Sequence, residues 1–132
     1  LAAAIRCVLT RSRVEPQMVG HVHAHGLGTC SCDIEEAMAI GDALEAYAKK
    51  VPVVALKSYT GNLGAGSGAV EFIASLLAMR DGRLFPTLNY ATPDARCPLA
   101  VTADRDRPSG GSFLNLSVTP QGQAAVLVVA RP

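Results

Sequence analysis

The segment from Ser67 to about Arg80 constrains the fold most, because it has the pattern of a helix with almost no polar face. Gly82 lies just beyond its end, where helices often stop on a glycine. Apolar residues occupy nearly every side of this helix: Ala69, Val70, Phe72, Ile73, Ala74, Leu76, Leu77 and Met79. A helix of this kind is expected to be buried all round, so other elements should cover it on every side.

Glu71 is the only carboxylate within this apolar segment. Burying a carboxylate without a partner is costly, so a cation or strong hydrogen bonds should accompany it. Lys57 is the nearest plausible cation, at the end of the preceding apolar run 51–56. Sites in α/β folds lie where strand ends face helix N-termini. The sequence therefore favours a buried Lys57–Glu71 pair, and a Glu71 at an exposed edge is the alternative.

An alternation of helix and strand patterns precedes this segment. A helix is already under way at Leu1–Leu9, and residues 18–24 alternate as a strand does. Asp33 with Glu36 forms a capping-box arrangement that should open a helix reaching about Lys50. The predicted buried stripe of that helix consists of Ile34, Ala37, Met38, Leu44 and Ala48.

The remaining segments complete an α/β pattern that finishes in a hairpin. The β-branched run 51–56 predicts a buried strand, residues 57–66 a loop, and the proline-containing stretch 83–98 an ordered surface crossing. Ser112–Val118 and Gln123–Ala130 predict two strands. The intervening Thr119-Pro120-Gln121-Gly122 suits a type I turn, with Pro second and Gly fourth.

Composition restricts the environment of the chain. Its 132 residues make one domain, and only 17% of them are charged against 49% hydrophobic, so another domain or chain is expected to cover part of the outside. The net charge of +1, without a run of Lys or Arg, excludes a nucleic-acid-binding face. No apolar stretch approaches the ~20 residues of a membrane span. The start lacks Met and has no signal-peptide pattern, which suggests a chain that begins inside a longer protein.

The sequence also contains residues that could form two other kinds of site, a metal site and a nucleotide-binding loop. His21, His23 and His25 share a strand spacing with Cys30 and Cys32 nearby, but this arrangement matches no common closed zinc site. The histidines are better interpreted as hydrogen-bonded strand residues, and no metal or cofactor is expected. The glycines of 61–66 lack the order of a nucleotide-binding loop, and Lys57 precedes rather than follows them. They favour a close-packed entry to the next helix.

Several ordered motifs, spread over essentially the whole chain, resemble those of the β-ketoacyl synthases of the thiolase superfamily. His23-Ala24-His25-Gly26-Leu27-Gly28-Thr29, with Asp33 and Glu36, resembles the segment that carries the family's first active-site histidine. Residues 57–63, with Ala65, Gly68 and Glu71, resemble the segment that carries its lysine and second histidine. Pro86-Thr87-Leu88-Asn89 resembles a further family motif, and the final hairpin sits where the family closes its chain.

This resemblance implies a fold and an activity. The fold would be the C-terminal half of a thiolase-like αβαβα layered sandwich, with residues 1–132 as that domain. The activity would be a decarboxylative Claisen condensation between an acyl thioester and a malonyl unit on acyl carrier protein. The resemblance places His25, Asn62, Lys57 and Glu71 in the catalytic site and Thr119 in the loop that gates it. It also implies a dimeric assembly, partnership with the N-terminal half, and no cofactor, nucleic acid or membrane.

Three departures from the family pattern leave the activity open. Asn62 stands where the second histidine is expected, and Val118-Thr119-Pro120-Gln121 replaces a glycine-rich loop with a gating phenylalanine. The nucleophilic cysteine is also absent, since none of Cys7, Cys30, Cys32 and Cys97 lies in its context. These four cysteines, without an export signal, are expected to be reduced thiols of a cytoplasmic protein. The alternative function is a non-catalytic partner resembling a chain-length factor.

Overall fold

The computed structural model describes residues 1–131. Four α-helices and five strands form in these residues, together with three short 3-10 helices. The helices are α1 Ala2–Ser12, α2 Cys30–Leu44, α3 Lys57–Thr60 and α4 Ser67–Asp81. The strands are β1 His21–His23, β2 Pro52–Val54, β3 Ala100–Val101, β4 Ser112–Val118 and β5 Ala124–Ala130. No helix in the described part of the chain has the length and apolarity needed to span a bilayer.

The strands make one sheet in the order β3-β2-β1-β4-β5. The pairs β1–β2, β1–β4 and β2–β3 are parallel, and β5 returns antiparallel to β4. The turn between β4 and β5 closes with a hydrogen bond from the Gly122 amide to the Thr119 carbonyl, which confirms the predicted final hairpin. Because β1, β2 and β4 run the same way, their C-terminal ends meet at one edge of the sheet.

Side chains alternate between the two faces of the sheet and so divide the protein into three layers. On one face, Val22 and Leu114 pack in a core with Ile5 of α1 and Ile40 of α2. On the other face, the neighbouring strand residues meet α4, where the rings of Phe113 and Phe72 lie 5.9 Å apart. Helices α1 and α2 therefore cover one side of the sheet and α4 covers the other.

The prediction that α4 is buried all round is wrong for this chain. It begins at Ser67 as predicted, ends at Asp81 rather than Arg80, and stops on Gly82, which has a φ of 75°. Its buried stripe, however, is largely polar, with Ser67, Glu71 and Ser75 facing the sheet. Much of its apolar surface points outward: Val70, Ile73 and Leu77 are exposed. The helix is thus inverted relative to a normal surface helix, with polar groups inside and apolar groups outside.

The predicted capping box at Asp33 is also wrong. Helix α2 begins at Cys30, so Asp33 lies inside its first turn, and the Asp33 carboxylate accepts a hydrogen bond from the Gly28 amide. The Glu36 carboxylate accepts from the amides of His25 and Gly26, in the loop before the helix, rather than from the Asp33 amide as a capping box requires. The local pattern could not reveal this, because a carboxylate one turn into a helix can accept from any amide within its reach.

Other elements begin or end a few residues away from their predicted bounds. Helix α2 stops at Leu44 rather than near Lys50, because Glu45 has a φ of 51° and a short 3-10 turn follows. Met38 is 66% exposed, and Ile40 and Ala43 take its expected place in the core. The expected loop 57–66 contains the short helix α3, and strands β1 and β2 each span three residues.

Candidate active site

The loop that follows β1 carries His25, and a buried glutamate fixes its backbone. Both oxygens of Glu36 accept hydrogen bonds, at 2.7 Å from the His25 amide and 2.9 Å from the Gly26 amide. Burial raises the pKa of Glu36, and these two amides oppose the rise because they stabilise the carboxylate. Gly26 has a φ of 51°, and a Cβ there would lie 2.7 Å from the Cβ of Ala55, so the turn requires glycine.

Lys57 is the centre of the site. It begins α3 at the end of β2, and it is 8% exposed. Its ammonium donates to the His25 carbonyl oxygen at 2.7 Å and lies 3.3 Å from His25 Nδ1. It also forms an ion pair with Oε1 of Glu71, whose side chain is 2% exposed. The predicted buried Lys57–Glu71 pair is confirmed. All three donors of the ammonium therefore have acceptors within the site.

The proximity of the lysine determines the state of His25. A cation at Nδ1 requires a lone pair there, so the imidazole proton resides on Nε2. Burial lowers the pKa of His25, and the positive charge of Lys57 lowers it further, while Asp33 acts in the opposite direction. The result is a neutral imidazole with a fixed Nε2–H donor.

Asn62 lies on the loop between α3 and α4. Its Oδ1 accepts from the Gly64 amide and from the Ser67 hydroxyl, both at 3.1 Å. A backbone amide can only donate, so these bonds orient the Asn62 side chain with its oxygen toward α4. No hydrogen bond from Asn62 Nδ2 to another described residue is found, which leaves that donor available to a ligand.

Thr119 lies at the tip of the β4–β5 hairpin, at the same sheet edge as His25 and Lys57. It is exposed, and its amide donates to the Gln123 carbonyl at 2.9 Å. An oxyanion role for this amide would require the turn to open. The assignment of Thr119 to a gating loop stays a prediction.

A cleft of about 520 Å³ lies between the loop after β1, α3 and the crossing 87–101. Its lining includes Gly26, Lys57 and Asn62, and it includes Ala24 but not His25 itself. The apolar part of the lining outweighs the polar part, as expected of a site for an organic substrate. All four cysteines are free thiols, and Cys30 and Cys97 lie on this cleft.

Sequence reasoning missed the roles of two residues at the site, Glu36 and Ser75. Glu36 was assigned to a helix cap, although it holds the His25 backbone. No sequence pattern indicated a role for Ser75. It is fully buried, and its hydroxyl forms hydrogen bonds with both His21 and His23. These histidines are hydrogen-bonded strand residues, as predicted. No group of three or more His, Cys, Asp or Glu among residues 1–131 is arranged to hold a metal ion.

Solved structures with this architecture define the class of protein. The fold is that of the C-terminal part of the thiolase-fold ketosynthases. The ishigamide ketosynthase/chain length factor matches with a TM-score of 0.91 and 32% identity, over 98% of this chain and 32% of that one. The ketosynthase AntDE, solved with its acyl carrier protein AntF, matches with a TM-score of 0.92 and 32% identity, over the same shares.

Relatives in sequence identify the family within that class. A model of the β-ketoacyl synthase C-terminal domain matches residues 1–91, and the chain belongs to this family. The 3-oxoacyl-[acyl-carrier-protein] synthase 2 of Synechocystis is 36% identical over 79% of this chain and 25% of its own length. The Staphylococcus aureus protein of the same name is 34% identical over 95% of this chain and 31% of its own. The chain thus spans a quarter to a third of these relatives.

Proposed function

We propose that this chain is the C-terminal part of a β-ketoacyl synthase that condenses an acyl thioester with a malonyl unit carried on acyl carrier protein. The observation that supports this most directly is the pair of contacts that Lys57 makes with His25. One ammonium contacts both the carbonyl oxygen and Nδ1 of the histidine, and Glu71 balances its charge. A site that fixes one neutral imidazole so completely is suited to donating a hydrogen bond to a developing oxyanion.

His25 would stabilise the enolate formed from the malonyl unit. Loss of CO₂ breaks the bond between the malonyl carboxylate and the α-carbon, and its electron pair moves into an enolate whose oxygen carries the charge. The Nε2–H of His25 donates to that oxygen, a contribution of about 3 kcal/mol for a well-placed donor. The α-carbon then attacks the acyl thioester, forms the new C–C bond and expels the thiolate that held the acyl chain.

Asn62 would supply the second donor to the same oxygen. Its Oδ1 is bound to the start of α4, so its Nδ2 is the group left to face a substrate. An amide donates without exchanging a proton, so Asn62 stabilises charge but does not act as an acid or base. The reaction as written needs no proton transfer from this position.

The N-terminal half of the synthase would complete the site and supply the nucleophilic cysteine. The inverted helix α4 supports this, because Val70, Ile73 and Leu77 form an exposed apolar face that a second domain would cover. Beside them, Phe72, Ile73 and Leu127 line an almost wholly apolar groove of about 400 Å³. Acyl carrier protein as the donor, a dimeric assembly and a cytoplasmic location belong to the same proposal.

The proposal is tested by acyl transfer to the full protein that contains this chain. Incubation with an acyl-loaded carrier protein should increase the protein mass by one acyl group, and prior alkylation of thiols should prevent the increase. Absence of acylation together with absence of CO₂ release from malonyl carrier protein would exclude a condensing enzyme.

The second candidate function is a non-catalytic partner that resembles a chain-length factor. It is favoured by Asn62 in place of the second histidine and by the closed turn at Thr119, whose amide is bonded within the hairpin. A partner of this kind would remain unacylated alone, yet it would be required for activity of a separate acylated subunit. Reconstitution with and without that subunit separates the two functions.

A further inference from the structure

A chain of hydrogen bonds behind the site has no part in the proposed chemistry. His21, His23 and Ser75 are each fully buried, and the Ser75 hydroxyl lies between the two imidazoles. It is 3.1 Å from His21 Nε2 and 2.7 Å from His23 Nδ1. Burying three polar side chains is costly unless each is satisfied, so their arrangement should be specific.

The two ends of the chain determine every proton position within it. His21 Nδ1 lies 2.8 Å from the Ser109 carbonyl, which only accepts, so Nδ1 carries the proton and Nε2 accepts. At the other end, His23 Nε2 accepts from the Leu56 amide at 3.2 Å, so its proton is on Nδ1. The Ser75 hydroxyl then accepts from His23 and donates to His21. The bonds at the two ends therefore require the same direction of the Ser75 hydroxyl, and both histidines are neutral.

This chain joins the three elements that carry the site. His23 ends β1, two residues before His25. Leu56 immediately precedes Lys57, and its amide is the group that His23 holds. Ser75 lies one helical turn after Glu71, on the same face of α4. Any displacement of His23 would therefore move Lys57 relative to both of its partners.

We infer that His23 and Ser75 are positioning residues, which set the place of Lys57 against His25 through the hydrogen bond from the Leu56 amide to His23. Their catalytic consequence rests on the proposed function, but the positioning itself does not. Burial lowers the pKa of His23 to about 3, with further lowering by His21 and Lys57, and burial lowers that of His21 to about 4. Both histidines therefore stay neutral near neutral pH, as the chain requires.

Two substitutions of His23 separate positioning from general packing. In His23→Gln, the longer amide reaches the place of Nε2, and its oxygen still accepts from Leu56. In His23→Asn, the shorter amide reaches only the place of Nδ1, so the bond to Ser75 is kept and the bond to Leu56 is lost. Both replacements are neutral and polar.

The readout is the pKa of His25, measured by NMR titration of the full protein. Lys57 contributes to its lowering, so His23→Asn should raise it toward the ordinary histidine value, and His23→Gln should leave it unchanged. The same spectra of the unsubstituted protein should show both His21 and His23 with the proton on Nδ1. In a condensation assay, His23→Asn should reduce kcat by about tenfold or more, with KM little changed.

Equal shifts in both variants, or no shift in either, would overturn the inference, as would a proton on Nε2 of either buried histidine. Should His23→Asn fail to fold, His23→Leu replaces it, because it fills part of the space of the ring but offers the Leu56 amide no acceptor, and it is therefore also expected to raise the His25 pKa. If the NMR changes occur as expected but the unsubstituted protein has no condensation activity, the proposed function fails while the positioning role of His23 stands.

Discussion

Lys57 is the residue on which the arrangement of the site depends. Its three donors connect β1 and α4 to the end of β2, since they reach the His25 carbonyl, His25 Nδ1 and Glu71. No other cation is paired with Glu71 among the described residues. Removing either member of such a pair leaves a buried charge without compensation, which costs more than the pair itself contributes.

Lys57→Met is therefore expected to lower the free energy of unfolding by about 3–5 kcal/mol. The long apolar chain fills the same space, so the loss comes from the unpaired carboxylate of Glu71. The double variant Lys57→Met with Glu71→Met should recover much of that stability without recovering activity. Urea denaturation of the three proteins measures this. A double variant no more stable than Lys57→Met would contradict the electrostatic cause.

The two buried histidines predict a loss of stability in mild acid. The unfolded chain binds protons at histidine below about pH 6.5, whereas His21 and His23 in the folded protein do so only near 4 and 3. Each should remove about 1.4 kcal/mol of stability per pH unit below 6.5. Glu36 acts in the opposite sense, because its raised pKa favours the folded state on acidification.

The urea midpoint measured from pH 7 to pH 5 checks this prediction. His23→Gln provides the control, since it keeps the acceptor for Leu56 but cannot titrate. Its stability should fall less steeply than that of the unsubstituted protein. Identical slopes for the two proteins would show that His23 does not stay neutral in the fold.

At the scale of elements, the close approach of two glycines connects the start of β1 to the loop before β4. Gly110 has a φ of 70°, and a Cβ there would lie 2.4 Å from the Cα of Gly20. The two segments that meet there are both backbone, so neither can shift easily to make room for a Cβ. The neighbouring Ser109 carbonyl ends the hydrogen-bond chain of His21.

Gly110→Ala should therefore be strongly destabilising, by about 2 kcal/mol or more. Gly111→Ala is a matched control, because a Cβ at Gly111 meets nothing within 4 Å. Thermal unfolding of both variants measures the difference. If Gly111→Ala proved as harmful as Gly110→Ala, the close approach would not be the reason.

The sequence was sufficient for features that depend on local pattern or on one large energetic cost. Helix α4 was predicted from its nearly continuous apolar residues and the glycine beyond its end, the final hairpin from its turn residues, and the Lys57–Glu71 pair from the cost of an unpaired carboxylate. The role of Glu36 was not predictable, since it depends on a turn that only the tertiary fold creates. The hydrogen-bond chain through Ser75 was missed for the same reason: Ser75 meets His21 and His23 only when α4 packs on the sheet.

At the scale of the whole molecule, the inverted helix α4 is the main feature that the described chain leaves unexplained. It places serines and a glutamate inward and leaves Val70, Ile73 and Leu77 in solvent. The expectation of burial on all sides came from the apolar residues on nearly every side of the helix, and it would be met only with a further layer over this face. The low fraction of charged residues supports the same conclusion.

Ile73→Asp should consequently disrupt the full protein while sparing the local fold of α4, because Ile73 is 53% exposed here. Met38→Asp on α2 is the control, at a residue 66% exposed on the opposite side of the sheet. Protease resistance and thermal unfolding of the full protein should fall for Ile73→Asp only. Equal tolerance of both charges would mean that no domain covers α4.

The central claim, that His25 stabilises the enolate of a condensing enzyme, is tested most directly by CO₂ release from malonyl carrier protein. The full protein should decarboxylate the malonyl unit, and His25→Ala should reduce the rate by about a hundredfold or more while the protein still accepts an acyl group. Met38→Ala, a surface change on α2, should keep the full rate. Undiminished CO₂ release by His25→Ala would contradict the account.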